Sequence, residues 1–152
     1  MCVLYVMIGP SGAGKSTFAK AFAARHNAEV VSTDEIRKMM FGDENIQRHG
    51  KKVFEAAYMS IRAHLNHRRN VVFDATNTTN DGRKELFWAV RDCHECKQII
   101  AVLVTPPLET ALKQNQMRER KVPKKVIVRQ YHQLMEDAEL IPLQFDQVIF
   151  AG

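Results

Sequence analysis

The nine residues GPSGAGKST, Gly9 to Thr17, follow the apolar run VLYVMI and constrain the fold more than any other stretch. Gly9, Gly14, Lys15 and Ser16 fit GxxxxGK[ST] without a mismatch. Glycines let a backbone curl into a nest of amide N–H groups around a phosphate, and a helix starting at Lys15 aims its positive dipole end at the same anion. Lys15 then reaches the β- and γ-phosphates, and the Ser16 hydroxyl can ligate magnesium. Gly9, Ser11, Gly12, Ala13, Gly14, Lys15, Ser16 and Thr17 are the expected nucleotide-binding residues. The plain alternative is a glycine-rich turn that happens to precede a helix, and the lysine and serine together weigh against it. The glycines at 9, 12 and 14 do not spell the dinucleotide motif GxGxxG. Binding of a nucleoside triphosphate, ATP with Mg2+, is the expectation.

The rest of the chain alternates short β-rich runs with longer helical ones. Strands are expected at 3–8, 29–32, 70–74, 98–104 and 146–150, and helices at 15–26, 47–67, 81–93, 107–117 and 123–138. VLYVMI, NVVFD and IIAVLV are nearly continuous apolar runs, as strands buried on both faces of a parallel sheet require. Thr105 before Pro106 and Pro107 reads as a cap followed by helix-starting prolines, and Pro123 opens the next helix in the same way. The expected fold class is α/β, a three-layer P-loop NTPase fold with a five-stranded parallel sheet and a small helical lid near residues 115–124. The second strand is expected to run beside the first. At 152 residues, residues 1–152 are expected to form a single domain. No run approaches 18 apolar residues, so no membrane partner is expected. The N-terminus has no basic leader or cleavage site and reads as a core strand. Three cysteines, Cys2, Cys93 and Cys96, suit a reducing, cytoplasmic setting better than a disulfide framework. A net charge of +5 is compatible with a polyanionic ligand and does not require one.

Sequence also narrows the class of nucleotide enzyme. No NKxD-like guanine motif occurs, and the strand VVF ends in Asp74 followed by Ala75 rather than by a water-activating glutamate. A phosphotransferase remains, whose acceptor hydroxyl needs a base and whose developing charge needs cations. In VVSTDEIRK, Ser32 and Glu35 fit a capping box at a strand-to-helix junction. Asp34 and Arg37, three apart, share a helix face there. At a strand's carboxyl end Asp34 can take the acceptor's proton, and Arg37 can hold its phosphate or the transferred charge. The bland reading is a helix cap with a solvated ion pair. At the third strand's end Asp74 is a candidate to sit near magnesium or the acceptor and Asn77 is suited to hydrogen-bonding, and both are candidate substrate residues. Alternatively Thr76, Asn77 and Asp81 only build the turn and cap the next helix. In QNQMRERKVPKK, Arg118 and Arg120 are candidates to close over the triphosphate, with a solvated basic turn as the alternative.

The ordered set GPSGAGKSTFAK, STDEIR, VVFDATNTTNDGRK and NQMRERKVP resembles the kinase domain of polynucleotide 5′-hydroxyl kinases over nearly the whole chain. The resemblance implies that Lys15 and Ser16 hold phosphates and magnesium and that Asp34 is the general base for a DNA or RNA 5′-hydroxyl. It further implies that Arg37 meets the scissile-end phosphate or transition state and that Arg118 is a lid arginine. The phage pattern has its aspartate two residues before the asparagine, where this chain has Ala75. Bacterial and eukaryotic members place it as at Asp74, and the role is carried there. No DxDxT phosphatase motif occurs, so a kinase-only chain is expected. A homo-oligomer is compatible with these features. Two rival readings remain: a small-molecule kinase acting on a sugar, nucleoside, antibiotic or toxin-type acceptor, and a non-enzymatic nucleotide switch.

Other features carry less. CHEC, Cys93 to Cys96, has no second ligand pair and is not expected to bind zinc. HLNHRRN, His64 to Asn70, reads as a basic helix end, with a nucleic-acid contact as the alternative, and Arg48, Lys51 and Lys52 as a solvated helix face or an acceptor channel.

Overall fold

The computed structural model describes residues 2–11, 14–42, 50–117 and 122–151. Among them the elements run β1 (Cys2–Ile8), α1 (Lys15–Arg25), β2 (Ala28–Ser32), α2 (Thr33–Phe41), α3 (Gly50–Asn66) and β3 (Asn70–Asp74). They continue as α4 (Asn80–Val90), β4 (Cys96–Leu103), α5 (Leu108–Gln116), α6 (Lys124–Glu136), α7 (Ile141–Gln144) and β5 (Gln147–Phe150). The five expected strands and five expected helices are all present, with ends shifted by at most three residues, and the expected helix start at 47–49 lies outside the described residues. α2 grows from the strand-to-helix junction and stops at Gly42, whose φ of 75° only glycine adopts without strain.

All strand pairs are parallel, in the order β2-β3-β1-β4-β5. The expectation that the second strand neighbours the first is corrected: β3 lies between them. Burial gives the reason. Val71, Val72 and Phe73 are completely buried and belong in the sheet's interior, whereas β2 exposes Glu29 and suits an edge. Alternating side chains feed two cores. Leu4, Val6, Val71 and Phe73 pack against Ile61 and Leu65 of α3, Leu86 of α4 and Leu134 of α6. Tyr5, Met7, Val72 and Val102 pack against Ala19, Phe22 and Ala23 of α1. The sheet is thus sandwiched between helical layers, and the fold is the α/β class expected.

Two caps differ from expectation. Thr105 does not cap α5; Pro107 occupies that position, and its carbonyl accepts from Ala111. A proline fixes φ for the turn entering a helix, so no side-chain cap forms. The cap of α4 is Thr79, whose hydroxyl accepts from the Gly82 N–H at 3.1 Å, not Asp81. The short α7, with a proline in its first turn, has no counterpart among the expected helices.

Among the described residues Arg83 is the largest fully buried side chain. Nη1 donates to the Asn77 carbonyl, Nη2 to Asp137 Oδ2 and Nε to Gln144 Oε1, each at 2.9 Å. It joins Leu86 and Val90 on the inward stripe of α4. Asp137→Ala would leave this guanidinium uncompensated, and we expect a loss of about 3 kcal/mol, or roughly 10 °C in melting temperature. The paired replacement Arg83→Met with Asp137→Leu should cost less than the two single changes together. Calorimetry on the three variants checks this.

Candidate phosphotransfer site

The phosphate loop leaves β1 at the carboxyl end of the sheet, with β3 and β4 on either side. Gly9 is required by close approach: a Cβ there would stand 2.1 Å from the Val104 carbonyl oxygen. Gly14 is required by conformation, with φ at 81° immediately before α1. Helix α1 has no side-chain cap and no acidic residue in its first turn. Its leading N–H groups and dipole are therefore not neutralised by its own carboxylates, which is the arrangement an anion needs. Ser16 and Thr17 are exposed in that first turn. Lys15 is buried, and its ammonium donates to the Pro10 carbonyl at 2.8 Å. Gly12 and Ala13 lie outside the described residues, as do Arg48, Arg118 and Arg120.

Asp74 ends β3 beside this loop. It is 6% exposed, and its Oδ2 accepts from the Ser16 hydroxyl at 2.8 Å. Burial pushes its carboxyl above the usual range; the Lys15 charge and the Ser16 bond pull it back only in part. The negative charges of Asp34 and Glu35 push it up further, so these carboxylates share a neighbourhood with Asp74. A buried carboxylate paired with a hydroxyl at the start of the helix that follows the phosphate loop suits a hard cation with oxygen ligands. Ser16, expected as a magnesium ligand, and Asp74 would hold it.

Helix α2 presents the other half of the site. Ser32 Oγ accepts from the Glu35 N–H at 3.3 Å, so the serine half of the capping box forms while the Glu35 side chain is exposed. That cap fixes the first turn of α2. Arg37 Nη1 donates to Asp34 Oδ1 at 3.0 Å, with the arginine side chain 10% exposed and the aspartate 30%. Arg37 Nε is buried without a hydrogen-bond partner. Such a group carries a desolvation cost until an acceptor arrives.

Asn77 does a different job from Asp74. Its φ is 50°, and its amide donates to the Met7 carbonyl at 2.8 Å. The Gly9 N–H donates to the Thr76 carbonyl at 3.0 Å. Together they staple the exit of β3 to the start of the phosphate loop. Asn115, which sequence reasoning passed over, is also buried. Its side chain donates to the Val122 carbonyl and accepts from the Val122 N–H, at 2.7 and 2.9 Å, linking α5 to the entry of α6.

The remaining basic and cysteine features sit elsewhere. The turn at 67–69 precedes β3, at the end of the sheet opposite the phosphate loop, where Arg68 pairs with Glu95. Lys51 and Lys52 are exposed on the first turn of α3. Cys2, Cys93 and Cys96 are free thiols, and burial raises all three, Cys96 to about 11. No group of three metal-ligating side chains occurs among the described residues. None of the described helices is long and apolar enough to cross a membrane.

Comparison with known proteins places the arrangement. No curated protein matches the chain in sequence. Among solved structures, the Pnkp1/Rnl/Hen1 RNA repair complex is 25% identical with a TM-score of 0.79, over 90% of this chain and 45% of that one. The chain therefore spans less than half the length of that relative. A fungal RNA kinase is 16% identical with a TM-score of 0.70, over 100% of this chain and 38% of that one. A gluconokinase from Sinorhizobium meliloti 1021 is 17% identical with a TM-score of 0.63, over 97% of this chain and 81% of that one. The chain thus shares its fold with an RNA kinase and a gluconokinase alike, and that fold is the P-loop kinase fold expected from the motifs. With the AAA domain family model matched across residues 4–140, the chain belongs to that family.

Proposed function

We propose that this chain is an ATP-dependent kinase that transfers the γ-phosphate to the 5′-hydroxyl end of a DNA or RNA strand. The observation that carries the reading is the Asp34–Arg37 pair, aimed by the Ser32 cap at a carboxyl strand end beside Lys15, Ser16 and Asp74. The likeness to an RNA repair complex at 25% identity supports the acceptor class. Lys15 and the N–H groups of α1 hold the triphosphate. Ser16 and Asp74 hold Mg2+, which when bound screens the phosphate charge. Asp34 takes the proton of the attacking hydroxyl; that oxygen bonds to the γ-phosphorus, and the bond to ADP breaks. Arg37 meets a phosphate of the acceptor or the transferring group. Arg118 and Arg120 supply further positive charge to the triphosphate from the lid segment, residues 115–124.

A second reading is favoured by one observation: the gluconokinase match spans most of both chains. On that reading Asp34 and Arg37 serve a small polar alcohol. Salt separates the two. A strand held through its phosphates loses kcat/KM steeply as salt rises, by a log–log slope of about −0.7 for each phosphate contacted. We expect a slope steeper than about −1 with a single-stranded 5′-hydroxyl oligonucleotide. A flat salt response with that acceptor would remove the strand-end reading.

A further inference from the structure

Residues 130, 133 and 137 of α6 and its C-terminal cap recur at i, i+3 and i+7, so they share one helix face. Gln130 reaches the phosphate loop, while Gln133 directly and Asp137 through Arg83 reach the loop after Asp74. Gln130 Oε1 accepts from the Ser11 N–H of the phosphate loop at 2.8 Å. Gln133 Oε1 accepts from the Thr78 hydroxyl at 2.9 Å, in the loop that follows Asp74. Asp137 accepts from buried Arg83, which holds the Asn77 carbonyl in that same loop. Buried Ile127 and Leu134 seat the helix on the protein body beside this polar stripe.

We propose that Gln130 is a positioning residue of the nucleotide site. Its side-chain oxygen fixes the outer limb of the phosphate loop at Ser11, on a helix that the loop after Asp74 already anchors. The proposal rests on the phosphotransferase reading for its link to catalysis, and on the phosphate loop alone for its link to nucleotide binding. The Ser11 N–H is turned toward α6, so its bond to Gln130 orients the loop instead of serving a phosphate. Chemistry explains why glutamine suits this position. The Ser11 N–H needs an acceptor, and a carboxylate would put a negative charge beside a triphosphate. Glutamine supplies the acceptor without the charge. A loop held before the nucleotide arrives gives up less ordering free energy on binding.

Two variants of the full chain test this. Gln130→Met keeps the length and removes the acceptor; Gln130→Glu keeps the acceptor and adds charge. Amide exchange by NMR should show the Ser11 N–H at least about tenfold less protected in Gln130→Met and still protected in Gln130→Glu. Titration with a fluorescent ATP analogue and magnesium should show binding roughly fivefold weaker in Gln130→Met. In Gln130→Glu it should be roughly tenfold weaker, from charge repulsion. The melting temperature of Gln130→Met should stay within about 3 °C, because the position is half-buried. Unchanged nucleotide affinity in a folded Gln130→Met would overturn the proposal, whether or not Ser11 loses protection. Tighter binding would also overturn it, because Gln130 would then be acting as a competitor for the loop. Failure of the wild-type chain to phosphorylate any acceptor would count against the kinase reading alone, since the nucleotide titration needs no acceptor.

Discussion

Replacing Asp34 by alanine is expected to lower phosphate transfer by about a thousandfold while leaving the affinity for magnesium–ATP within about threefold of wild type. The split follows from where Asp34 stands. Its carboxylate stands in the first turn of α2, where it accepts from Arg37 at 3.0 Å. The groups proposed to hold nucleotide, Lys15 and the leading N–H groups of α1, belong to a different element. Removing Asp34 therefore takes away a proton acceptor and leaves the nucleotide nest standing. It also frees Arg37 from its partner, so the acceptor's KM should change modestly, while kcat carries most of the loss. Single-turnover transfer measured beside nucleotide titration gives both quantities. Equal losses in ATP affinity and in kcat would assign Asp34 to the nucleotide site.

Asp74→Asn should reduce kcat/KM by about 100-fold and change its dependence on pH. In the wild type burial raises the carboxyl, and if Asp74 ligates magnesium as proposed, protons and magnesium compete for it. The sign is fixed: below its raised value the group is protonated and cannot ligate, so the magnesium concentration for half-maximal activity climbs as pH falls. That climb begins at a higher pH than an ordinary carboxylate would give. Asparagine still accepts from Ser16 but does not titrate, so its magnesium requirement, though higher, should be flat over the same range. Magnesium titrations of transfer from pH 8 to pH 5 test this. Parallel pH profiles for the two proteins would place the cation on groups other than Asp74.

Much of this arrangement was legible in the residues. VLYVMI, NVVFD and IIAVLV announced buried parallel strands because a strand covered on both faces has no polar side to show. The spacing of Gly9, Gly14, Lys15 and Ser16 announced the phosphate loop because each residue type answers a separate geometric demand. Strand order was not legible. Whether β2 or β3 lies beside β1 depends on which strand buries both its faces in the final packing, and Val30 and Val31 look as apolar as Val71 and Val72. The cap at Thr79 was hidden among Thr76, Asn77, Thr78 and Asp81, any of which can satisfy a helix start. Gln130, Gln133 and Arg83 were missed because long polar side chains on helices usually face water. Spacing was the available signal: 130, 133 and 137 share a stripe, and Arg83 shares one with Leu86 and Val90.

In the proposed reaction Asp34 meets the 5′-hydroxyl of a nucleic-acid strand. The most direct test of that reaction is transfer of labelled γ-phosphate from ATP, with a 5′-hydroxyl oligonucleotide, the same oligonucleotide already bearing a 5′-phosphate, and a panel of sugar and hydroxy-acid alcohols as acceptors. We expect label at the 5′ end of the first oligonucleotide, none on the second, and loss of the signal in Asp34→Ala. Label found only on a small alcohol would contradict the proposed reaction.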